Sequence, residues 1–224
     1  MTTLLALDTA TEACSVALLH DGKISSHYEV IPRLHAQKLL PMIQQLLADA
    51  GTTLAAVDAI AFGRGPGAFT GVRIAIGVVQ GLAFALERPV LPVSNLAVLA
   101  QRALREQGVS QVAAAIDARM DEVYWGCYHE VAGEMRLLGS EAVLAPERAV
   151  LPEGASGEWF GAGTGWGYAE RIAVTPSGQD ASLLPHAHDL LTLATFAWQR
   201  GEAIAADLAQ PVYLRDNVAT PKAR

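Results

Sequence analysis

Asp117 follows Asp8 by 109 residues, and the segments that hold them match in kind: Ala6-Leu7-Asp8-Thr9-Ala10 and Ala115-Ile116-Asp117-Ala118-Arg119. Each is an apolar run ending in an aspartate. Each is also followed by two more strand-like runs, at residues 14–19 and 24–30 after the first and at 123–129 and 135–143 after the second. A second echo, offset by 98, sets Phe62-Gly63-Arg64-Gly65-Pro66-Gly67 against Phe160-Gly161-Ala162-Gly163-Thr164-Gly165. Two copies of meander, helix, strand and glycine turn imply two similar α/β lobes around a pseudo-two-fold axis. The predicted division is a first lobe at 1–108, a second at 109–210, and a tail, 211–224, that crosses back to the first.

Between the strand expected at 57–62 and the helix expected at 72–86 lies a glycine-rich elbow, Gly63 to Gly71, with Thr70 as the expected N-cap. Strand, elbow and helix is a layout that can offer backbone N–H groups to an anion. The glycine spacing is nevertheless not G-x-G-x-x-G, and no P-loop lysine follows. A tight turn that lets a helix dock closely on a sheet explains the glycines equally well. The helix itself carries Arg73, Gly77, Gly81 and Ala85 one turn apart. An interior helical glycine costs about 1 kcal/mol relative to alanine, so close approach of another backbone is expected along this stripe. The remaining helices are expected at 35–50, with Pro41 kinking it, from a Ser94 cap to about 107 with Gly108 as its stop, and from 189 to about 200.

Composition removes several classes. A net charge of −7 and a pI near 5.3 argue against a chain that grips a phosphate backbone by itself. Cys14 and Cys127 both lie in apolar runs and read as core residues of a reducing compartment. No basic leader precedes the first strand, and Gly, Gln or Pro interrupts each apolar helix before spanning length. A cytosolic chain without a membrane segment is expected.

Several segments carry a resemblance: Leu7-Asp8-Thr9-Ala10-Thr11, His35-Ala36-Gln37-Lys38-Leu39-Leu40-Pro41, Gly65-Pro66-Gly67-Ala68-Phe69-Thr70-Gly71-Val72-Arg73-Ile74, Asp117 through Tyr124, and Pro211-Val212-Tyr213-Leu214-Arg215. The duplicated lobes resemble the actin/hexokinase/Hsp70 superfamily (ASKHA, RNase H-like). The segments, in this order, resemble its bacterial TsaB (YeaZ) family. That resemblance implies a subunit of the machinery that places a threonylcarbamoyl group on N6 of adenosine 37 in tRNA. The implied partners are a TsaD-like paralogue, which is the transferase, and a TsaE-like ATPase. Whether the chain pairs with itself as a homodimer when alone is left open by the sequence, and tRNA contact is implied only through the complex.

The residues themselves limit what chemistry the chain carries. Asp8, Thr9 and Thr11 keep the aspartate and hydroxyls of a nucleotide turn, but Asp117-Ala118-Arg119 has no glycine where a phosphate needs close approach. With Gly65, Pro66, Gly67, Thr70 and Gly71 they are expected to form a vestigial nucleotide loop. His35 is followed at i+4 by Leu39, so the two-histidine metal face of TsaD-like relatives is incomplete. His186 and His188 more simply open the last helix, and Trp159 and Trp166 more simply pack over a loop than cover a base. No nucleophile with a partnered base is visible. Two function classes remain: a non-catalytic interaction subunit without cofactor or metal, or a nucleotide-hydrolysing or metallo-enzyme of the same superfamily. The first predicts a partner surface on the helices at 35–50 and 72–86, built from His35, Leu39, Leu40, Ile43, Arg73, Ile76, Gly77, Gln80 and Gly81.

Overall fold

Residues 4–8 alternate between two dry environments: Leu5 and Leu7 join one core cluster, and Leu4 and Ala6 another. A strand apolar on both faces must be covered by two layers. The computed structural model, which describes residues 2–215, provides both. Strands β1 (Leu4–Asp8), β2 (Ala13–His20) and β3 (Lys23–Val30) form the antiparallel meander. Helix α1 (His35–Asp49), β4 (Ala59–Gly63), α2 (Phe69–Leu86), β5 (Val90–Val93) and α3 (Asn95–Gln107) follow. β4 and β5 add in parallel to give the order β3-β2-β1-β4-β5.

The second half repeats this plan. Strands β6 (Gln111–Arg119), β7 (Glu122–Val131), β8 (Glu134–Leu144), β9 (Phe160–Ala162) and β10 (Gly178–Asp180) are ordered β10-β9-β6-β7-β8, and α4 (Ala187–Gln199) closes it. The fold is therefore α/β with duplicated sheets. The helix expected between the third and fourth strands of the second copy is absent. That span forms only a short 3-10 turn, Pro146–Arg148, because Pro152, Gly154 and Gly157 break its apolar pattern. Indole rings cover the sheet there instead. Trp159 and Trp166 are 3% and 1% exposed, and Trp166 Nε1 donates to the Ala113 carbonyl at 2.8 Å. Gly161 is needed for this packing, since a Cβ would lie 2.5 Å from the Trp166 ring.

The two long helices between the sheets change places. α1 and α2 cover one face of the first sheet and α4 covers the other, through Leu190, Leu191 and Ala194. α3, which precedes the second half in sequence, packs Leu99, Ala100 and Ala103 on β6 and β9 of the second sheet. A bidentate pair from Arg105 of α3 to Asp189 of α4, at 2.7 and 2.8 Å, ties the crossing.

Boundaries shift for local reasons. β4 begins at Ala59 because residues 54–56 first make a 3-10 turn. α2 begins at Phe69, and Thr70, the expected cap, lies exposed inside its first turn. Ala68 is the N-cap because its N–H is already held by the Ala10 carbonyl at 2.7 Å. Pro41 stands inside α1 without ending it. Ser94 does cap α3, its Oγ accepting from the Leu96 N–H at 3.2 Å, and Gly108 closes it in the left-handed region with φ of 69°. Ser94→Ala should cost about 1 kcal/mol, a fall of about 2–4 °C in melting temperature by calorimetry. Both cysteines are buried, and burial pushes each thiol up to about 12.

Candidate functional site

The first aspartate turn is sealed. Asp8 and Thr9 are fully buried. Asp8 Oδ1 accepts the Ala10 N–H at 3.1 Å, and Oδ2 accepts from Asn95 Nδ2. Asn95 Oδ1 in turn accepts the Gly65 N–H at 2.8 Å, and its own N–H reaches the Gly65 carbonyl. The elbow closes over the turn from the other side. A Cβ on Gly67 would lie 2.4 Å from the Ala10 carbonyl, and one on Gly71 would lie 2.1 Å from that of Thr9. Thr9 Oγ1 donates to the Gly71 carbonyl at 2.6 Å. Gly67 and Gly71 thus serve close packing of turn on helix, whereas Gly65, with φ of 100°, faces the Val212 carbonyl of the tail. Asp8 is thus a core residue.

Burial pushes the Asp8 carboxyl up to about 6, against the lowering pull of the Ala10 N–H and the Asn95 amide. The folded chain therefore favours the protonated form. This contribution to stability is full below the ordinary value of 3.8, is lost as pH rises to about 6, and is flat above. Between about pH 4 and pH 7, Asp8→Asn should gain about 2 kcal/mol on the wild type in urea unfolding. A constant separation of the two curves would contradict a desolvated carboxyl.

The second turn is built alike but lies open. Asp117 Oδ1 accepts the Arg119 N–H at 2.8 Å, the same i+2 bond as in the first turn, and the Asp117 N–H reaches Thr164 Oγ1 at 3.0 Å. Arg119, Met120 and Asp121 all take left-handed φ, at 62°, 57° and 58°, a costly conformation for side-chain-bearing residues. The tail braces this turn. Arg215 donates to the Ala118 carbonyl at 3.1 Å and pairs with Glu122, and its side chain is only 17% exposed. Val212 N–H meets the Arg64 carbonyl at 2.8 Å, so residues 211–215 run from the elbow to the second turn. Residues 216–224 of the expected tail lie outside the described residues. Between turn, elbow and tail lies a cavity of about 780 Å³.

The expected partner residues divide. Leu39, Ile43 and Ile76 are 0%, 1% and 5% exposed and belong to the core under α1 and α2. His35 is buried with them, its Nε2 without a hydrogen-bond partner. These four do not offer surface, because α1 turns its 35-39-43-46 row inward and α2 turns the face of Val72, Ile76 and Val79 inward. Leu40, Arg73, Gly77, Gln80 and Gly81 are exposed, and a Cβ on Gly77 or Gly81 would meet nothing within 4 Å. The stripe begins one turn earlier than expected, at Phe69, and takes in Phe84 beside Ala85. Phe69 and Phe84 lie on the same face, 62% and 83% exposed. α2 has a mean hydropathy of 1.7 over its 18 residues, enough by length and composition to cross a membrane, yet Arg73 and Gln80 interrupt it and Val72, Ile76, Val79 and Ala83 bury one side of it in the protein core. His186 caps α4, its Nδ1 accepting the His188 N–H at 3.0 Å, with its ring stacked on Tyr28. Among the described residues, no three His, Cys, Asp or Glu side chains meet as metal ligands.

Duplicated five-stranded sheets, each opened by an aspartate turn against a glycine turn, with a cavity between, define the actin/hexokinase/Hsp70-like class of α/β proteins. A family model described as "TsaD: tRNA N6-adenosine threonylcarbamoyltransferase" matches residues 25–223. The tRNA threonylcarbamoyladenosine biosynthesis protein TsaB of Escherichia coli is 48% identical, over 98% of this chain and 97% of its own. That of Haemophilus influenzae is 43% identical over 98% and 96%. The solved structure of YeaZ from Pseudomonas aeruginosa superposes with a TM-score of 0.94 at 74% identity, covering 96% of this chain and all of that one. The chain belongs to the TsaB (YeaZ) family.

Proposed function

We propose that this chain is a non-catalytic dimerisation subunit of the cytoplasmic complex that makes threonylcarbamoyladenosine in tRNA. It binds and activates a TsaD-type transferase and helps to seat a TsaE-type ATPase. The observation that carries this reading is the outer face of α2, where Gly77, Gly81, Phe84 and Ala85 form an apolar and small-residue stripe open to solvent. Glycines that touch nothing in their own chain cost helix stability without a return in the monomer, and exposed patches of this kind mark interfaces. The same surface serves self-association when the chain is alone, because a pseudo-symmetric heterodimer reuses a homodimer's face. The sealed first turn supports a subunit without turnover of its own. The test is light scattering on mixtures with TsaD and TsaE proteins, with phosphate release followed in parallel. Stoichiometric complexes and no ATP hydrolysis by the chain alone are expected. Hydrolysis that disappears in Asp8→Ala would overturn the reading.

A further inference from the structure

Most arginines here are neutralised. Arg102, Arg105, Arg119, Arg136, Arg171, Arg200 and Arg215 all pair with carboxylates. Arg73 has no such partner among the described residues. Its guanidinium lies over the Phe69 ring, 3.2 Å from the centroid, and 5.2 Å from that of Tyr213. The two rings are themselves 6.0 Å apart and nearly parallel, at 28°. Stacking occupies the flat face of a guanidinium and leaves its N–H edge, the part that grips an oxyanion with two parallel bonds. The rings also hold the side chain in place beforehand, which lowers the entropy cost of capture.

All three residues line the 780 Å³ cavity, a volume in the range of small-molecule sites. The other charged groups of the cavity are engaged with one another. Arg119 is shared between Asp117 at 3.2 Å and Glu12 at 3.8 Å, and Arg215 is spent on Glu122. Val72, Ile116 and Tyr124 supply an apolar wall. The cavity thus presents, among the described residues, one preorganised guanidinium without a carboxylate contact, beside an apolar surface. We propose that it binds a small organic anion, a carboxylate or phosphate borne on an apolar or aromatic body, with Arg73 taking the oxyanion. This position differs from a phosphate seat at the elbow, where the Ala68 N–H is already taken by the Ala10 carbonyl. Tyr213 makes the tail part of the site. It is fixed from both sides, by Val212 on Arg64 and by Arg215 on Ala118.

The test titrates the full chain with benzoate, phenyl phosphate and the neutral benzyl alcohol, by calorimetry and saturation-transfer NMR. Saturable one-to-one binding of at least one anion is expected, with benzyl alcohol about tenfold weaker. Arg73→Gln should weaken the anion by about tenfold and leave benzyl alcohol unchanged. Arg33→Gln, an exposed arginine outside the cavity, should alter neither. Which anion binds more tightly identifies the oxyanion. The proposal fails if no probe saturates, if the alcohol binds as well as the anions, or if Arg73→Gln binds like wild type. It also fails if Arg73→Gln impairs only assembly with a TsaD-type protein, which would assign the guanidinium to a protein interface.

Discussion

Gly81→Leu should leave the protein folded and abolish its co-elution with a TsaD-type partner on a sizing column. The first half of that expectation rests on space. A Cβ at Gly81 meets nothing within 4 Å, so leucine enters without overpacking, and helix propensity adds about 0.8–1 kcal/mol to α2. The melting temperature should therefore hold or rise slightly. The second half rests on the interface. Two helices that approach along a glycine stripe leave no room for an isobutyl group, and the loss should exceed about a hundredfold in affinity, or about 3 kcal/mol. A variant that unfolds would place the stripe in the core. One that still binds as tightly as wild type would place the interface elsewhere.

The same substitution of glycine by alanine should have opposite signs one turn and a half apart on α2. Gly71→Ala drives a methyl group to 2.1 Å from the Thr9 carbonyl. No flexible side chain can yield there, since the obstacle is backbone held by the Asp8 turn. A loss of about 3–4 kcal/mol is expected, a fall of roughly 6–16 °C in melting temperature. Gly77→Ala, with open space around it, should gain about 1 kcal/mol. Chemical denaturation of the two variants side by side checks both. Equal effects would mean that the elbow does not close on the turn.

Much of this fold is visible in the chain because strand alternation and repeat order are local signals. The meanders, the Ser94 cap and the Gly108 stop all follow from residues within one or two turns of each other. What the residues conceal is depth. Asp8 looks like a cleft residue, since an aspartate at the end of a strand usually faces solvent, and only Asn95, 87 positions away, makes its burial tolerable. Leu39 and Leu40 are adjacent and chemically identical, yet one is fully buried and the other 46% exposed. Choosing between them needs the phase of α1 against β2 and α2, which no window of sequence contains. Phe69 was within reach, because it continues the four-residue spacing of Arg73, Gly77 and Gly81, and Phe84 lies three residues beyond Gly81 on the same helical face. The Tyr213–Phe69–Arg73 cluster was not, since it joins the tail to a helix more than a hundred residues earlier.

The crossing of α3 and α4 has a mechanical meaning. Two lobes that moved against one another would need a seam between them. Here each half's closing helix is buried against the other half's sheet, and the tail is stitched to both aspartate-turn regions. No plane divides the molecule without tearing apolar layers out of two cores at once. The two halves are therefore packed as one unit, with the cavity held between them. The same stitching predicts that severing the chain near residue 108 would yield two insoluble pieces rather than two lobes.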